Sequence, residues 1–226
     1  MESVLTELEN MSNYFKIEEW KKLLFLHKSA VEEINTKLKI LNEEFKIMHD
    51  YNPIEHIEDR VKTPQSIIEK LERKGYKPNI ENAKKHIADI AGVRVICSFT
   101  TDIYKLYQLL EKQTDVEVMD VKDYIENPKP NGYRSLHMLI KIPVFLTDEI
   151  KKVKIEVQIR TIAMDFWASL EHKIYYKYQN NAPDQVPEQL KECAEIIADL
   201  DQKMLDIRRE IKMFENNKYQ LTQNYK

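Results

Sequence analysis

The chain has 226 residues, 42% hydrophobic and 32% charged, with 35 Lys and Arg against 38 Asp and Glu and a formal net charge of -3 at pH 7. The length suits one domain with a sizeable core, and a charged fraction above the usual quarter points to much exposed helix. The acidic balance excludes a general nucleic-acid coat, the three isolated glycines exclude a Gly-rich phosphate loop, and the two cysteines provide neither a zinc spacing nor a disulfide framework. The N-terminus, MESVLTELEN, has no long apolar stretch, so neither a signal peptide nor a membrane span is read there and the expected compartment is the cytoplasm.

From Ile17 to Met48 apolar residues recur at 3-4-3-4 spacing (Ile17, Trp20, Leu24, Val31, Ile34, Leu38, Leu41, Phe45, Met48), with His27 interrupting the seam. This period predicts an N-terminal helix over 17–50 packed along a long partner. Tyr51-Asn52-Pro53 ends it, because the residue before proline is pushed out of the helical region. An α/β core is read over 53–181. Within it, Pro64 to Gly75 is a short helix with Pro at its first position and Gly at its end, and Ala83 to Ile90 is another. Runs rich in β-branched residues at 93–99, 116–119, 135–142 and 153–159 predict strands, with helices at 102–112 and 162–178. The interleaving implies the α/β (α+β) class: a mixed sheet of about five strands packed by helices. Pro187 to Tyr219 carries a second seam (Leu190, Cys193, Ile197, Leu200, Met204, Ile207, Ile211, Phe214) and predicts a C-terminal helix. It pairs with the first within the chain or across an oligomer. The whole, 1–226, is read as one domain.

Four constellations could carry chemistry. Between 153 and 160 the sequence alternates strictly, with Lys154, Glu156, Gln158 and Arg160 on one face. That face is either the solvated side of an antiparallel strand or a site floor where a carboxylate binds metal or takes a proton. Ala88-Asp-Ile-Ala-Gly-Val-Arg94 puts Asp89 just before a strand and Arg94 just inside it. Asp89 is part of an ordinary turn, or shares one Mg²⁺ with a carboxylate on another strand. From Arg60 to Arg94 the local charge turns basic, and Ser66, Lys70 and Arg73 fall on one helical face. This is a solvated face or, with Lys62, a clamp for a polyphosphate, with planar arginines free to stack on a purine. In Asn131-Gly-Tyr-Arg-Ser-Leu-His137, Gly132 permits a tight turn and Tyr133 shares a face with His137. Tyr133 is an edge-strand core residue or an aromatic platform for a base, with His137, Lys122 and Lys129 reaching phosphates. No histidine has metal-ligand spacing, so no zinc site is assigned.

Taken together and in order, Arg-Val-Lys at 60–62, Ser66-x3-Lys70, Asp-Ile-Ala-Gly-Val-Arg at 89–94, Gly-Tyr-Arg-Ser-Leu-His at 132–137, Glu-Val-Gln-Ile-Arg-Thr at 156–161 and Phe-Trp-Ala-x-Leu-Glu-His at 166–172 resemble the synthetase domain of the RelA/SpoT homologue family. The resemblance spans about 20–215. It implies a nucleotidyltransferase-like fold and a stand-alone small alarmone synthetase, since the chain is too short to add the family's hydrolase and regulatory domains. The implied reaction moves the β,γ-pyrophosphate of ATP to the 3′-hydroxyl of GDP or GTP, giving AMP and ppGpp or pppGpp, in the stringent response. By the same resemblance Arg60 and Arg94 sandwich adenine, while Lys62, Ser66, Lys70 and Arg73 hold the ATP phosphates. Asp89 and Glu156 are the Mg²⁺ ligands and catalytic carboxylates, Glu156 activating the acceptor hydroxyl. Tyr133 stacks on guanine. His137, Lys122, Lys129, Asn131, Gln158 and Arg160 line the acceptor side, with Asp165 toward the guanine edge. A homotetramer is also implied.

One departure stands out. In relatives activated by their own product, an aromatic and a hydroxyl residue occupy the places of His56 and Glu58. Glu58 would repel a phosphorylated effector, so weak or absent product activation is expected. Alternatives remain: a toxic relative that pyrophosphorylates tRNA or adenosine nucleotides, a non-catalytic guanine-nucleotide or RNA-binding protein, or a coiled-coil assembly protein. Retention of both Asp89 and Glu156 speaks against a degenerate site, and a chain of this charge is not expected to hold a stable nucleic-acid or membrane partner.

Overall fold

The computed structural model describes residues 2–177, 183 and 185–223. The expected helix end at Tyr178 and core boundary near 181 lie outside them. A 47-residue helix α1 (Glu2–Met48) starts well before residue 17, since nothing in 2–48 is Gly or Pro. Its seam is buried from Leu23 through Ala30, Val31, Ile34 and Leu38 to Phe45, whereas Ile17 and Met48 at the ends are exposed. Asn52 then turns the chain by accepting from Ile54 N–H (3.0 Å).

Next come β1 (Ile54–Val61), α2 (Pro64–Arg73), α3 (Ile80–His86), β2 (Ala91–Cys97), α4 (Thr100–Glu111), β3 (Glu117–Asp123), β4 (Leu136–Phe145), β5 (Ile150–Thr161), α5 (Ile162–Lys177) and α6 (Val186–Gln223). Thr63 caps α2 by accepting from Ser66 N–H, with Pro64 opening the helix. Helix α3 begins earlier than the apolar pattern predicts because the Asn79 side chain caps it on Asn82 N–H. It ends at His86, which leaves 87–90 as a loop carrying Asp89.

The five-stranded sheet has the order β1-β2-β5-β4-β3. Strands β2 and β5 are parallel; every other neighbouring pair is antiparallel. Helices α1 and α4 cover one face, where Val93, Val95, Met138, Ile140, Ile155 and Val157 are buried with Ile34, Leu38 and Leu106. A second cluster joins Leu23 of α1 to Ile67, Leu71, Ala83, Ile87 and Ile90, and so seats α2 and α3 beside the sheet. Trp167 of α5 packs on Ala194 of α6 and donates from Nε1 to Leu190 O (2.8 Å).

Strand β1 carries no clear sequence signal, for a physical reason: a bulge between Ile54 and His56 breaks the period of two, and the exposed Asp59 takes the position between Ile57 and Val61, where it accepts from Asn35 of α1 (3.0 Å). Helix α6 does not run along α1. It leans on α5 and on the start of α4, where Arg208 pairs with the buried Asp102 (3.3 Å) and stacks on Tyr51 and Phe99. The outer part of its seam is therefore open: Leu200, Met204, Ile207, Ile211 and Phe214 are 48–71% exposed. Among the described residues no helix is long and apolar enough to cross a membrane.

Candidate active site

The face of the sheet opposite α1 carries the polar residues, and strand register lines them up. One row runs Glu58, Arg94, Gln158, His137, Lys122 across the strands; the next runs Arg60, Gly92, Glu156, Leu139, Asp120. Because Gly92 has no side chain, the middle of the second row opens into a cleft of about 380 Å³ lined by Arg60, Lys62, Asp89, Arg94, Glu156 and Gln158. A Cβ at Gly92 would sit 3.3 Å from Glu156 O.

On the β1–β2 side, Asp89 Oδ2 accepts from Lys62 Nζ (2.8 Å) and Lys70 Nζ (2.6 Å), and Lys62 also holds Asp89 O (2.8 Å). Ser66, one turn before Lys70, shares the Thr63 cap. Arg73 is exposed and makes no hydrogen bond or ion pair among the described residues. The same holds for Arg60, at the cleft rim. Arg94 Nη1 lies between Glu58 Oε2 (3.3 Å) and Asp165 Oδ1 (3.4 Å). Glu58 also meets His56 (3.7 Å).

On the β4–β5 side, Glu156 Oε1 meets His137 Nδ1 (3.1 Å) and Oε2 accepts from Gln158 Nε2 (2.8 Å). His137 Nε2 meets Tyr133 Oη (2.8 Å). Arg160, buried, donates to Tyr133 Oη (2.5 Å), Gln158 Oε1 (3.0 Å) and Asp165 Oδ1 (3.0 Å). Asp165 therefore lies between two arginines, one from each side of the cleft. Lys129 Nζ stands over the rings of Tyr133 (4.5 Å) and Tyr124 (4.7 Å). The loop that carries them is closed by Gly132 N–H on Lys129 O (2.8 Å) and by Asn131, whose Oδ1 accepts from Tyr133 N–H and whose Nδ2 donates to Glu171. Lys122 is exposed at the far end of the first row, 3.8 Å from Asp120.

The electrostatics follow from these contacts. Burial pushes the Asp89 carboxyl up, but Lys62 and Lys70 more than reverse this and hold it at about 2. Burial likewise opposes ionisation of Glu156, and the donors His137 and Gln158 bring its pKa below the ordinary carboxylate value despite the charge of Asp89. Desolvation lowers the Lys129 ammonium, against the attraction of Glu156. A hard cation fits the cleft. Asp89 Oδ1 is buried and has no hydrogen-bond partner among the described residues, and each Glu156 oxygen accepts one hydrogen bond and retains a further lone pair. Among the described residues no cluster of three or more His, Cys, Asp or Glu is present, so a cation here would draw its remaining ligands from substrate and water, as Mg²⁺ readily does.

The structure thus gathers Arg60, Lys62, Lys70, Asp89, Arg94, Glu156, Gln158, Arg160, Asp165, His137 and Tyr133 around one cleft, and leaves Arg73 and Lys122 at its margins. Tyr124 had no sequence signal: it is one aromatic in a polar segment, yet its ring meets His137 edge-on (5.2 Å) and Tyr133 (6.0 Å). The double engagement of Asp165 was equally hidden, since α5 brings it back over the sheet only in three dimensions.

The region found in RelA / SpoT proteins matches residues 59–181. The chain is 50% identical over 211 residues to GTP pyrophosphokinase YwaC of Bacillus subtilis (strain 168), covering 93% of this chain and 100% of that protein. It is 39% identical over 194 residues to GTP pyrophosphokinase YjbM of the same organism, covering 85% and 90%. Its fold matches the crystal structure of small alarmone synthetase 2 from B. subtilis with a TM-score of 0.77 at 53% identity, over 85% of this chain and 99% of that one. It matches small alarmone synthetase 1 from B. subtilis bound to its product pppGpp with a TM-score of 0.81 at 37% identity, over 86% and 99%.

Proposed function

The chain belongs to the RelA/SpoT family, and on that premise we propose that it is a GTP pyrophosphokinase. It transfers the β,γ-pyrophosphate of ATP to the 3′-hydroxyl of GDP or GTP, releasing AMP and forming the alarmones ppGpp or pppGpp. The observation that carries this reading is the convergence of Asp89 and Glu156 on one cleft, between a lysine and arginine arm on the β1–β2 side and the Tyr133, His137 and Arg160 group on the other.

In this reading the β1–β2 side takes ATP. Arg60 and Arg94 flank the adenine, and Lys62 and Lys70, with Ser66 and Arg73, meet the phosphates. Both lysines rest on Asp89, so a polyphosphate exchanges one anionic partner for another and meets no bare cluster of like charge. The other side takes the acceptor: Tyr133 stacks on guanine, Asn131 and Asp165 stand near its edge, and Lys122, Lys129 and His137 reach its phosphates. Glu156, ionised at neutral pH, accepts the hydrogen bond of the 3′-hydroxyl. It takes that proton as the O3′–Pβ bond forms and the bond from Pβ to the α-phosphate oxygen breaks. The cations and the rigid sheet contribute positioning and charge neutralisation, the main demands of such a transfer. Asp89 and Glu156 would hold Mg²⁺, which supplies further neutralisation of the polyphosphate. The open seam of α6 supports self-association, and we include a homotetramer acting in the cytoplasm in the proposal.

Incubation with ATP, Mg²⁺ and GDP or GTP, with products resolved by chromatography, tests the reading. AMP is expected one-for-one with ppGpp or pppGpp, and Glu156→Gln, folded as judged by circular dichroism, is expected to lose turnover. Full activity of that variant removes Glu156 from the mechanism. Transfer only to adenosine nucleotides or tRNA replaces the acceptor.

A further inference from the structure

Glu156 does not sit in the cleft as an isolated carboxylate. It closes a hydrogen-bond circuit that runs from Oε1 to His137 Nδ1 (3.1 Å), from His137 Nε2 to Tyr133 Oη (2.8 Å), from Tyr133 Oη to Arg160 Nη2 (2.5 Å), from Arg160 Nη2 to Gln158 Oε1 (3.0 Å) and from Gln158 Nε2 back to Oε2 (2.8 Å). The residues come from β4, β5 and the turn before β4.

The direction of every bond in the circuit follows from one member. Arg160 has donors only. It therefore donates both ways, to Gln158 Oε1 and to Tyr133 Oη. Gln158, accepting at its oxygen, turns its amide nitrogen toward Glu156. Tyr133, accepting from Arg160, has its own O–H left to donate, and His137 Nε2 lies at 2.8 Å. Accepting at Nε2 makes the neutral imidazole an Nδ1–H tautomer, and that hydrogen points at Glu156 Oε1. Both arms thus start on Arg160 and end on the carboxylate. Arg160 itself is buried and anchored by Asp165, so the reference point is rigid.

We infer that the hydroxyl of Tyr133 is a positioning group for the reaction: through His137 it sets the orientation of Glu156, so the side chain proposed to stack on the acceptor base also aims the carboxylate that activates the acceptor. A ring-only role needs the aromatic face of Tyr133 and has no use for its oxygen. The circuit uses the oxygen and makes no use of the ring faces, over which Lys129 Nζ stands at 4.5 Å. Tyr133 therefore acts in two ways that one substitution separates. The proposal rests on the reading of Glu156 as the proton acceptor and deepens it.

Tyr133→Phe keeps the ring and opens the circuit. The expected result is a fall in kcat of roughly tenfold, the effect of one lost hydrogen bond, with the acceptor KM held within about twofold. His137→Asn keeps a donor near the Nδ1 position and removes the link to Tyr133, so Tyr133→Phe should cause no further loss in that background. Unchanged kcat in Tyr133→Phe, a rise in acceptor KM with kcat intact, or additive losses in the double variant would overturn the inference. A second measurement needs no turnover: ¹⁵N–¹H correlation of the imidazole in the ligand-free protein. Neutral His137 is expected as the Nδ1–H tautomer in the wild type, with Nε2 shifted by the hydrogen bond it accepts; in Tyr133→Phe the tautomer should stay, because Glu156 still accepts from Nδ1, and the Nε2 resonance should move to that of a nitrogen without a donor. An Nε2–H wild type would overturn the circuit even if the pyrophosphokinase reading stands. Absence of pyrophosphate transfer by a wild type that shows the Nδ1–H tautomer would instead fault that reading and leave the circuit in place.

Discussion

Gly132→Ala should be costly for two separable reasons. The backbone there has φ +86°, a left-handed conformation that costs an L residue about 1–2 kcal/mol. The new Cβ would also lie 2.6 Å from the Cβ of Ala194 on α6. Alanine has no flexible end to swing away, so either the loop or the helix must shift, at about 1–3 kcal/mol. The expected total is about 3 kcal/mol, read as a lower urea midpoint at unchanged slope. Because the displaced loop carries Asn131 and Tyr133, the acceptor KM should rise while the ATP KM stays near wild type. A double-mutant cycle isolates the contact. Ala194→Gly alone should cost about 1 kcal/mol of helix propensity, but it makes room for the methyl group, so in that background Gly132→Ala should cost only the backbone share, about 1–2 kcal/mol. A single variant within about 0.5 kcal/mol of wild type, or one that costs the same in both backgrounds, would refute the steric argument.

Asp89→Asn should destabilise the protein by about 2–3 kcal/mol at pH 7, because Lys62 and Lys70 lose their shared anion. The folded pKa of about 2 lies below the unfolded value near 3.9, so this stability is present above about pH 4 and is lost as pH falls through the folded value. The gap between wild type and variant in urea unfolding should be constant from about pH 7 to 5 and close to half by about pH 3; a gap that does not change with pH would refute the assignment. Met204→Glu together with Ile207→Glu places charge on the open seam of α6. Sedimentation should then show a smaller assembly than wild type with the fold retained, and an unchanged sedimentation coefficient would locate any interface elsewhere.

What the sequence reveals and what it hides differ by the range of the interaction. The strand at β5 is read easily because its apolar and polar residues alternate without a break over 153–160. The helices α2 and α4 announce themselves through Pro64 and through the apolar spacing of Ile103, Leu106 and Leu110. Strand β1 is opaque because its bulge and the charged Asp59 between Ile57 and Val61 erase the alternation, although it carries Arg60 into the cleft. The two long seams suggest a pair, within the chain or across an oligomer; within the chain α6 packs on α5 instead, seated by Trp167 and by the Arg208–Asp102 pair. The site residues are legible one by one as residue types in a motif. Their circuit is not, because it depends on register between β4 and β5, where His137 lies opposite Gln158 and diagonal to Glu156.

The sheet order explains why chemistry gathers around Glu156. Strand β5 is central, flanked by its one parallel neighbour β2 and its antiparallel neighbour β4. The parallel pairing places the entry of β2 beside the middle of β5, so the loop residue Asp89 arrives next to Glu156 and Gly92 lies opposite it. The antiparallel pairing places the first residues of β4 beside the last of β5, so Tyr133 and His137 arrive from the other side. The two proposed substrate sides therefore come from different stretches of chain and meet on one strand. It follows that substitutions confined to α2 or β1 should move the ATP KM, and those in the 129–133 loop the acceptor KM. Changes in the circuit on β4 and β5 should fall on kcat. A variant of Lys70 that altered only the acceptor KM would break this division.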